Sequence, residues 1–191
     1  MEIKGSKTEK NLLASFAGEA QARTRYNYFA SVAKKEGYEQ IGEIFTETAE
    51  NEKEHAKLFF KFLQGGDVEI TSSYPAGMIR STLENLQAAA DGEHHEWEDL
   101  YPTFADIAEK EGFTDIAKTF RNVSKVEVAH ERRYRKLINN IEKNKVFNRD
   151  TITKWKCRNC GYIHEGSSAP DPACPVCDHA KAYFELWSEN Y

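Results

Sequence analysis

Glu52-Lys53-Glu54-His55 and Glu127-Val128-Ala129-His130 place the same two side chains three positions apart, and the second copy follows the first by 75 residues. On a helix, a Glu and a His at this spacing share one face, about one turn apart. A single Glu-x-x-His reads more readily as an exposed ion pair. Here, however, Glu52 and His55 sit between Ala49 and Phe59 of an apolar stripe, and Glu127 and His130 interrupt Phe120, Val123, Tyr134 and Leu137. Glu19, between Phe16 and Tyr26, and Glu93, after Leu86 and Ala90, add a carboxylate to the stripes of two further helical segments. Ionised groups in a core are very costly unless they are paired or bound to metal. Four helices that each bring a carboxylate to the buried face, two with a histidine as well, form the ligand pattern of a carboxylate-bridged two-metal site in a four-helix bundle.

Hard carboxylates with two imidazoles suit iron or manganese better than zinc or copper, and iron is favoured. Four glutamates neutralise two divalent ions. Glu96, three residues after Glu93, is a fifth carboxylate that becomes useful when the metals are oxidised; its other reading is a solvated rim residue. Tyr26 and Tyr101 lie two turns from Glu19 and Glu93, placed to hydrogen-bond ligand carboxylates or supply protons, or simply to pack. His94 and His95 are adjacent and cannot both face the site, so they are expected at the surface or behind the ligands, and Trp97 is expected to pack.

The wider pattern predicts four helices. Ser6-x-x-Glu9 is a capping-box signature, and helix A should run from about Lys7 to Glu36 and stop at Gly37. Helix B should carry Ile41 to Leu63 and end at Gly65-Gly66. Helix C should resume near Met78 and be closed by Gly112, and helix D should carry Phe113 to Ile141. Short A–B and C–D turns predict two antiparallel hairpins. Helix B, at roughly 26 residues, would be about 39 Å long. The B–C loop, Asp67–Gly77, could extend about 40 Å and cross the bundle lengthwise, as in ferritin-like folds; an up-down bundle is the alternative.

The hairpins read as a duplication at an offset of 75: Tyr26 on Tyr101, Phe29 on Phe104, Lys35-Glu36-Gly37 on Lys110-Glu111-Gly112, Phe45 on Phe120. Glu19 and Glu93 alone slip to 74. Helix C must absorb one residue between Glu93 and Pro102, as a π-bulge or a proline kink.

The chain has 191 residues, 40% hydrophobic and 30% charged, which suits a bundle with a short appended module. The expected domains are residues 1–145, a linker 146–153, and 154–191. A net charge of −5 argues against nucleic acid as a partner. The start, MEIKGSKTEK, has no leader-like apolar run and no stretch approaches about 18 apolar residues, so no membrane partner and a cytoplasmic location are expected. All four cysteines pair as Cys157-x-x-Cys160 and Cys174-x-x-Cys177, a tetrahedral four-thiolate pattern that suits iron or zinc rather than disulfides. So short a module needs the metal to fold.

With both sites placed, the whole chain resembles the rubrerythrins, a mainly α ferritin-like four-helix bundle followed by a small rubredoxin-like domain with a four-cysteine metal site. The resemblance implies bridging roles for Glu52 and Glu127. It implies Glu19 with His55 or Glu96 at one iron, His giving way to Glu on oxidation, and Glu93 with His130 at the other. A third iron would be held by Cys157, Cys160, Cys174 and Cys177; manganese or zinc could substitute. Asp178 departs from the glycine usual after the last knuckle, a position where Asp tolerates a left-handed backbone. The implied activity is reduction of hydrogen peroxide to water in oxidative-stress defence, with rubredoxin or an NAD(P)H-dependent reductase as electron donor. A head-to-tail homodimer is also implied; it would shorten a transfer that looks long within one chain. Two other classes compete. An iron-oxidising storage protein has no evident use for the four-cysteine tail, and a zinc-ribbon interaction protein has none for the buried ligands.

Overall fold

The structure, a computed structural model, describes residues 2–190. Helix α1 spans Lys7–Lys35 and α2 Glu39–Phe60; α3 spans Thr82–His95, a π-helical turn Glu96–Leu100, α4 Tyr101–Lys110 and α5 Thr114–Glu142. Strands β1 (Asn148–Cys157), β2 (Ile163–Ser168) and β3 (Phe184–Leu186) form one antiparallel sheet in the order β2-β1-β3. No helix is long and apolar enough to cross a membrane among the described residues.

Side-chain pairs fix the helix directions. Tyr26 of α1 reaches Glu93 of α3, while Glu19 receives Tyr101 of α4, so these helices run antiparallel. Phe45 meets Tyr134 and Phe59 meets Phe120, so α2 and α5 are antiparallel too. Since α2 folds back on α1, α2 and α3 must run parallel, and the chain between them has to traverse the whole bundle. That excludes the up-down alternative. The crossover occupies residues 61–81, longer than expected, because α2 stops at Phe60 rather than at Gly65-Gly66. Helix α3 likewise begins at Thr82 and not near Met78: Ser81 and Glu84 form a complete reciprocal capping box that starts it, leaving Met78 and Ile79 exposed. At α1 the box is incomplete. Ser6 accepts from the Glu9 N–H, but Glu9 reaches back to Gly5 instead of Ser6.

The misregister in helix C is absorbed as a π-turn, one of the two forms that the 74-residue slip left open. A π-turn fits one more residue into a helical turn, so eight residues from Glu93 to Tyr101 span what seven span from Glu19 to Tyr26. Ser124 of α5 donates to the Trp97 carbonyl at 3.3 Å, satisfying an oxygen in the widened turn. The hairpins also cap one another. Glu111 accepts from the Thr8 N–H and hydroxyl at 2.9 and 2.6 Å, and Glu36 accepts from the Thr82 N–H at 2.9 Å. Two apolar cores result, one around Tyr26, Phe29, Phe45 and Tyr134, the other around Leu12, Phe59, Tyr101 and Phe120. The carboxylates lie between them.

The segment expected as linker, residues 146–153, is mostly strand: β1 begins at Asn148 and pairs with Ser168 before a bulge. The module packs around Trp155 and Phe184, with the Trp155 indole N–H donating to Gly166 O. It rests on the α1–α2 turn, where the Tyr38 and Phe147 rings stack 6.2 Å apart.

Candidate metal centres

Each buried carboxylate owes its position to the stripe around it. Glu19, Glu52, Glu93, Glu127, His55 and His130 are all at most 7% exposed, in mid-helix and flanked by core residues. They gather into two groups, Glu19–Glu52–His55–Glu127 and Glu52–Glu93–Glu127–His130, each with ligand atoms within 4.8 Å of one another. Glu52 and Glu127 belong to both. His55 Nδ1 lies 2.8 Å from Glu52 and 3.0 Å from Glu127; His130 Nδ1 lies 2.8 Å from Glu127 and 3.2 Å from Glu52. The imidazole planes stack 6.0 Å apart.

Close as they are, many of these atoms are badly angled for hydrogen bonding. Glu19 Oε2, Glu52 Oε1, Glu93 Oε2, both Glu127 oxygens and His130 Nδ1 are buried without a hydrogen-bond partner. Buried polar atoms are nearly always satisfied. Orphans of this kind, converging on two shared spaces, fit a pair of cations held by oxygen and nitrogen ligands. Outside the cluster, two tyrosines supply hydrogen bonds. The Tyr26 hydroxyl donates to Glu93 at 2.5 Å and Tyr101 donates to Glu19, each reaching across to the other hairpin's carboxylate. Burial, then the charges of those glutamates, push both phenols well up, so they stay protonated donors.

Without cations the cluster cannot carry all its charges. Burial raises Glu19 well above the carboxylate range, with Glu52, Glu96 and Glu127 adding to the effect. Burial and the Glu52 charge push Glu93 up to about 8. Burial opposes charging the histidines, but contacts with Glu127 and Glu52 outweigh it, holding His55 at about 9 and His130 at about 12. Burial would raise Glu52 as well, yet the two imidazoliums pull it down to about 2.

Glu96 is not brought within the ligand distances of either group. The residue as a whole is half-buried at the start of the π-turn, while desolvation of its carboxyl, then Glu93, Glu127 and Glu52, raise it well above the usual range. His94 and His95 are exposed, as expected, paired with Glu131 and Asp99. Trp97 does more than pack. Its indole N–H donates to Glu131 at 2.7 Å, and Arg135 holds the same carboxylate from the other side, so α5 grips the π-turn. Residue spacing carries no signal for this clamp, because Glu131 looks like any helix-surface acid.

The second centre is made of two matching knuckles. Gly161 N–H donates to Cys157 O and Asp178 N–H to Cys174 O, with Gly161 and Asp178 both left-handed at φ 80° and 57°. Asp178 therefore adopts the backbone expected of it. Cys157 and Cys177 sulfurs lie 3.8 Å apart, Cys160 and Cys174 3.7 Å. A tetrahedron with metal–sulfur bonds of about 2.3 Å has edges of about 3.8 Å, so these four sulfurs are spaced for one ion. The His179 backbone N–H holds Cys177 down to about 6, whereas at Cys160 a Tyr162 N–H is outweighed by burial and the other sulfurs, which push it up to about 12. Four thiolates this close need a cation.

Over residues 10–138 the chain matches the family model described as Rubrerythrin, and over residues 155–185 the one described as Rubrerythrin, rubredoxin-like domain. It is 61% identical to a rubrerythrin of Porphyromonas gingivalis, over 99% of this chain and 94% of that protein. Identity to a rubrerythrin of Nitratidesulfovibrio vulgaris is 54%, over 99% of this chain and 98% of that one. The solved structure of the fully reduced, all-ferrous state of nigerythrin superposes with a TM-score of 0.60 at 32% identity, over 97% of this chain and 91% of that one. With a paired carboxylate–histidine cluster and a four-cysteine site both fitted for iron, the chain belongs to the rubrerythrin family.

Proposed function

We propose that this chain reduces hydrogen peroxide to water, H2O2 + 2e− + 2H+ → 2H2O, at the paired carboxylate site, with electrons returned one at a time through the four-cysteine site. The observation that carries this reading is the sharing of Glu52 and Glu127 between two ligand groups in a chain that also holds a four-thiolate tetrahedron. Iron in the paired site would act as Lewis acid and supply the two electrons. Glu52 and Glu127 would contact both ions, Glu19 and His55 one, Glu93 and His130 the other. Glu96, beside the cluster, would replace His55 when the metal charge rises and a fifth carboxylate is needed. Tyr26 and Tyr101 hold protons at their hydroxyls, hydrogen-bonded to Glu93 and Glu19, where protons are required. The near-complete burial of the cluster keeps bulk water from the reacting atoms.

The cysteine module lies at the α1–α2 turn, where Phe147 stacks on Tyr38, fourteen helical residues or about 21 Å from Glu52. A head-to-tail dimer, each module beside its partner's bundle, would shorten the path; rubredoxin or an NAD(P)H-dependent reductase would refill it. Iron storage leaves the four-cysteine site without a task.

The test is anaerobic reduction, one equivalent of peroxide, and absorption of the ferric–thiolate site. Its colour should return rapidly, and at least tenfold more slowly in Glu127→Ala. Equal rates would uncouple the cysteine site from the bundle; a protein colourless throughout would be a zinc ribbon.

A further inference from the structure

A cavity of about 280 Å³ lies against the outer side of the carboxylate cluster, between α1, the π-turn and the crossover. Glu96 and Tyr101 form its inner wall, and Tyr101 donates directly to Glu19. Arg25, tethered to Gln21 at 2.7 Å, adds the cationic side of this polar end. The far end is carbon, from Ala14, Leu100 and Phe104. Tyr74 of the crossover roofs it, its hydroxyl donating to Ala14 O at 2.8 Å. Two glycines keep the space open: a Cβ on Gly92 would meet nothing within 4 Å, and one on Gly18 would touch only the Tyr74 ring, at 3.6 Å.

Hydrogen peroxide is about the size of two waters, roughly 60 Å³ at liquid density. Sites for small organic molecules begin at about 300 Å³. The cavity matches the second class, with a polar end toward the ligands and an apolar end away from them.

We propose that this cavity is an alkyl subsite, and that the paired site also reduces small organic hydroperoxides, the O–O end facing Glu96 and Tyr101 and the alkyl group lying against Ala14, Leu100 and Phe104. The proposal rests on the peroxidase reading and extends its substrate class. The O–O bond breaks and each oxygen takes a proton, ROOH + 2e− + 2H+ → ROH + H2O, with electrons from the same donor.

The test measures kcat/KM of the iron-loaded protein for tert-butyl hydroperoxide and for hydrogen peroxide, in the wild type, Gly92→Leu and Ala14→Leu. Both substitutions fill the cavity, and leucine is a better helix former than glycine, so Gly92→Leu is expected to fold. A single methylene misfit is worth about 10–200-fold in selectivity. The ratio of organic to inorganic peroxide should fall at least tenfold in both variants. Independently of turnover, wild-type crystals soaked in tert-butanol should show the alcohol against Ala14, Leu100 and Phe104, and Ala14→Leu crystals should not. Turnover of hydrogen peroxide without tert-butyl hydroperoxide, or a ratio the variants leave unchanged, would overturn the subsite alone. Turnover of neither would overturn the peroxidase reading and this proposal with it.

Discussion

The two hairpins repeat each other at the ligands, the tyrosines and the turns, and part in register at one place. In α1, Glu19 and Tyr26 are joined by regular helix; in the second hairpin, Glu93 and Tyr101 are separated by one residue more, and the chain widens into a π-turn at Glu96–Leu100. The ligands stay in register and the backbone yields. At the position of Glu96 the first hairpin, aligned on its ligand, has the buried Ala22. A nearly two-fold cluster thereby gains a carboxylate on one side.

The strongest way to break this symmetry is to remove ligands one at a time. Glu52→Ala or Glu127→Ala should empty both cation positions, leaving about one iron per chain at the cysteines. Glu19→Ala or Glu93→Ala should leave about two. Elemental analysis against protein concentration decides; equal loss in all four variants would refute the shared roles.

Removing the metals should lower the melting temperature, and more at pH 8 than at pH 5.5. In the metal-free fold Glu93 is raised from 4.5 to about 8, and Glu19 is raised as well. A group raised in the fold contributes stability that is present below its unfolded value and lost as pH climbs through its folded one. For Glu93 that window is 4.5 to about 8, and for His55, raised from 6.5 to about 9, it lies slightly higher. Glu52, lowered to about 2, works oppositely but only below 4.5. Calorimetry of chelated and loaded protein at the two pH values would show it; a drop independent of pH would mean that the carboxylates do not crowd one another.

A smaller effect is expected from deleting Glu98, which gives the second hairpin the spacing of the first. The π-turn should vanish while the bundle survives. Losing the Trp97–Glu131 and Ser124–Trp97 hydrogen bonds, at about 1 kcal/mol each, should lower the melting temperature by about 4–8 °C. Outright unfolding would make the turn indispensable to the fold.

The smallest contrast lies in the other duplicated pair, the knuckles. Gly161→Ala should weaken the module by about 1 kcal/mol, whereas Asp178→Gly should be neutral or slightly stabilising, because φ is positive at both positions. The denaturant midpoint for loss of the thiolate–metal absorption measures both. Equal and opposite changes would mean that Asp178 is as strained as an alanine would be; a destabilising Asp178→Gly would mean that it is not strained at all.

Much of this was legible in the chain because a duplication announces its own exceptions. The ligands stood out as charges inside apolar stripes, and the single slip located the disruption of helix C between Glu93 and Pro102, though spacing did not choose between a π-bulge and a proline kink. Boundaries were less legible. Met78 and Ile79 extend the apolar pattern of α3 although Ser81 and Glu84 cap it later, since periodicity cannot tell an exposed apolar residue from a packed one. The grip of Glu131 and Arg135 on Trp97, and the cavity under Tyr74, depend on where the crossover and α5 come to lie. Those are tertiary facts with no local signature.

Glu36 and Glu111 each sit in the turn of one hairpin and close the first helix of the other. Neither hairpin on its own supplies the acceptor for the Thr8 or the Thr82 N–H. The smallest self-sufficient unit is therefore two hairpins, and nothing in those contacts requires them to be covalently joined. A half-length chain meeting a copy of itself would find the same two glutamates waiting, which makes the present molecule legible as a dimer fused by its crossover.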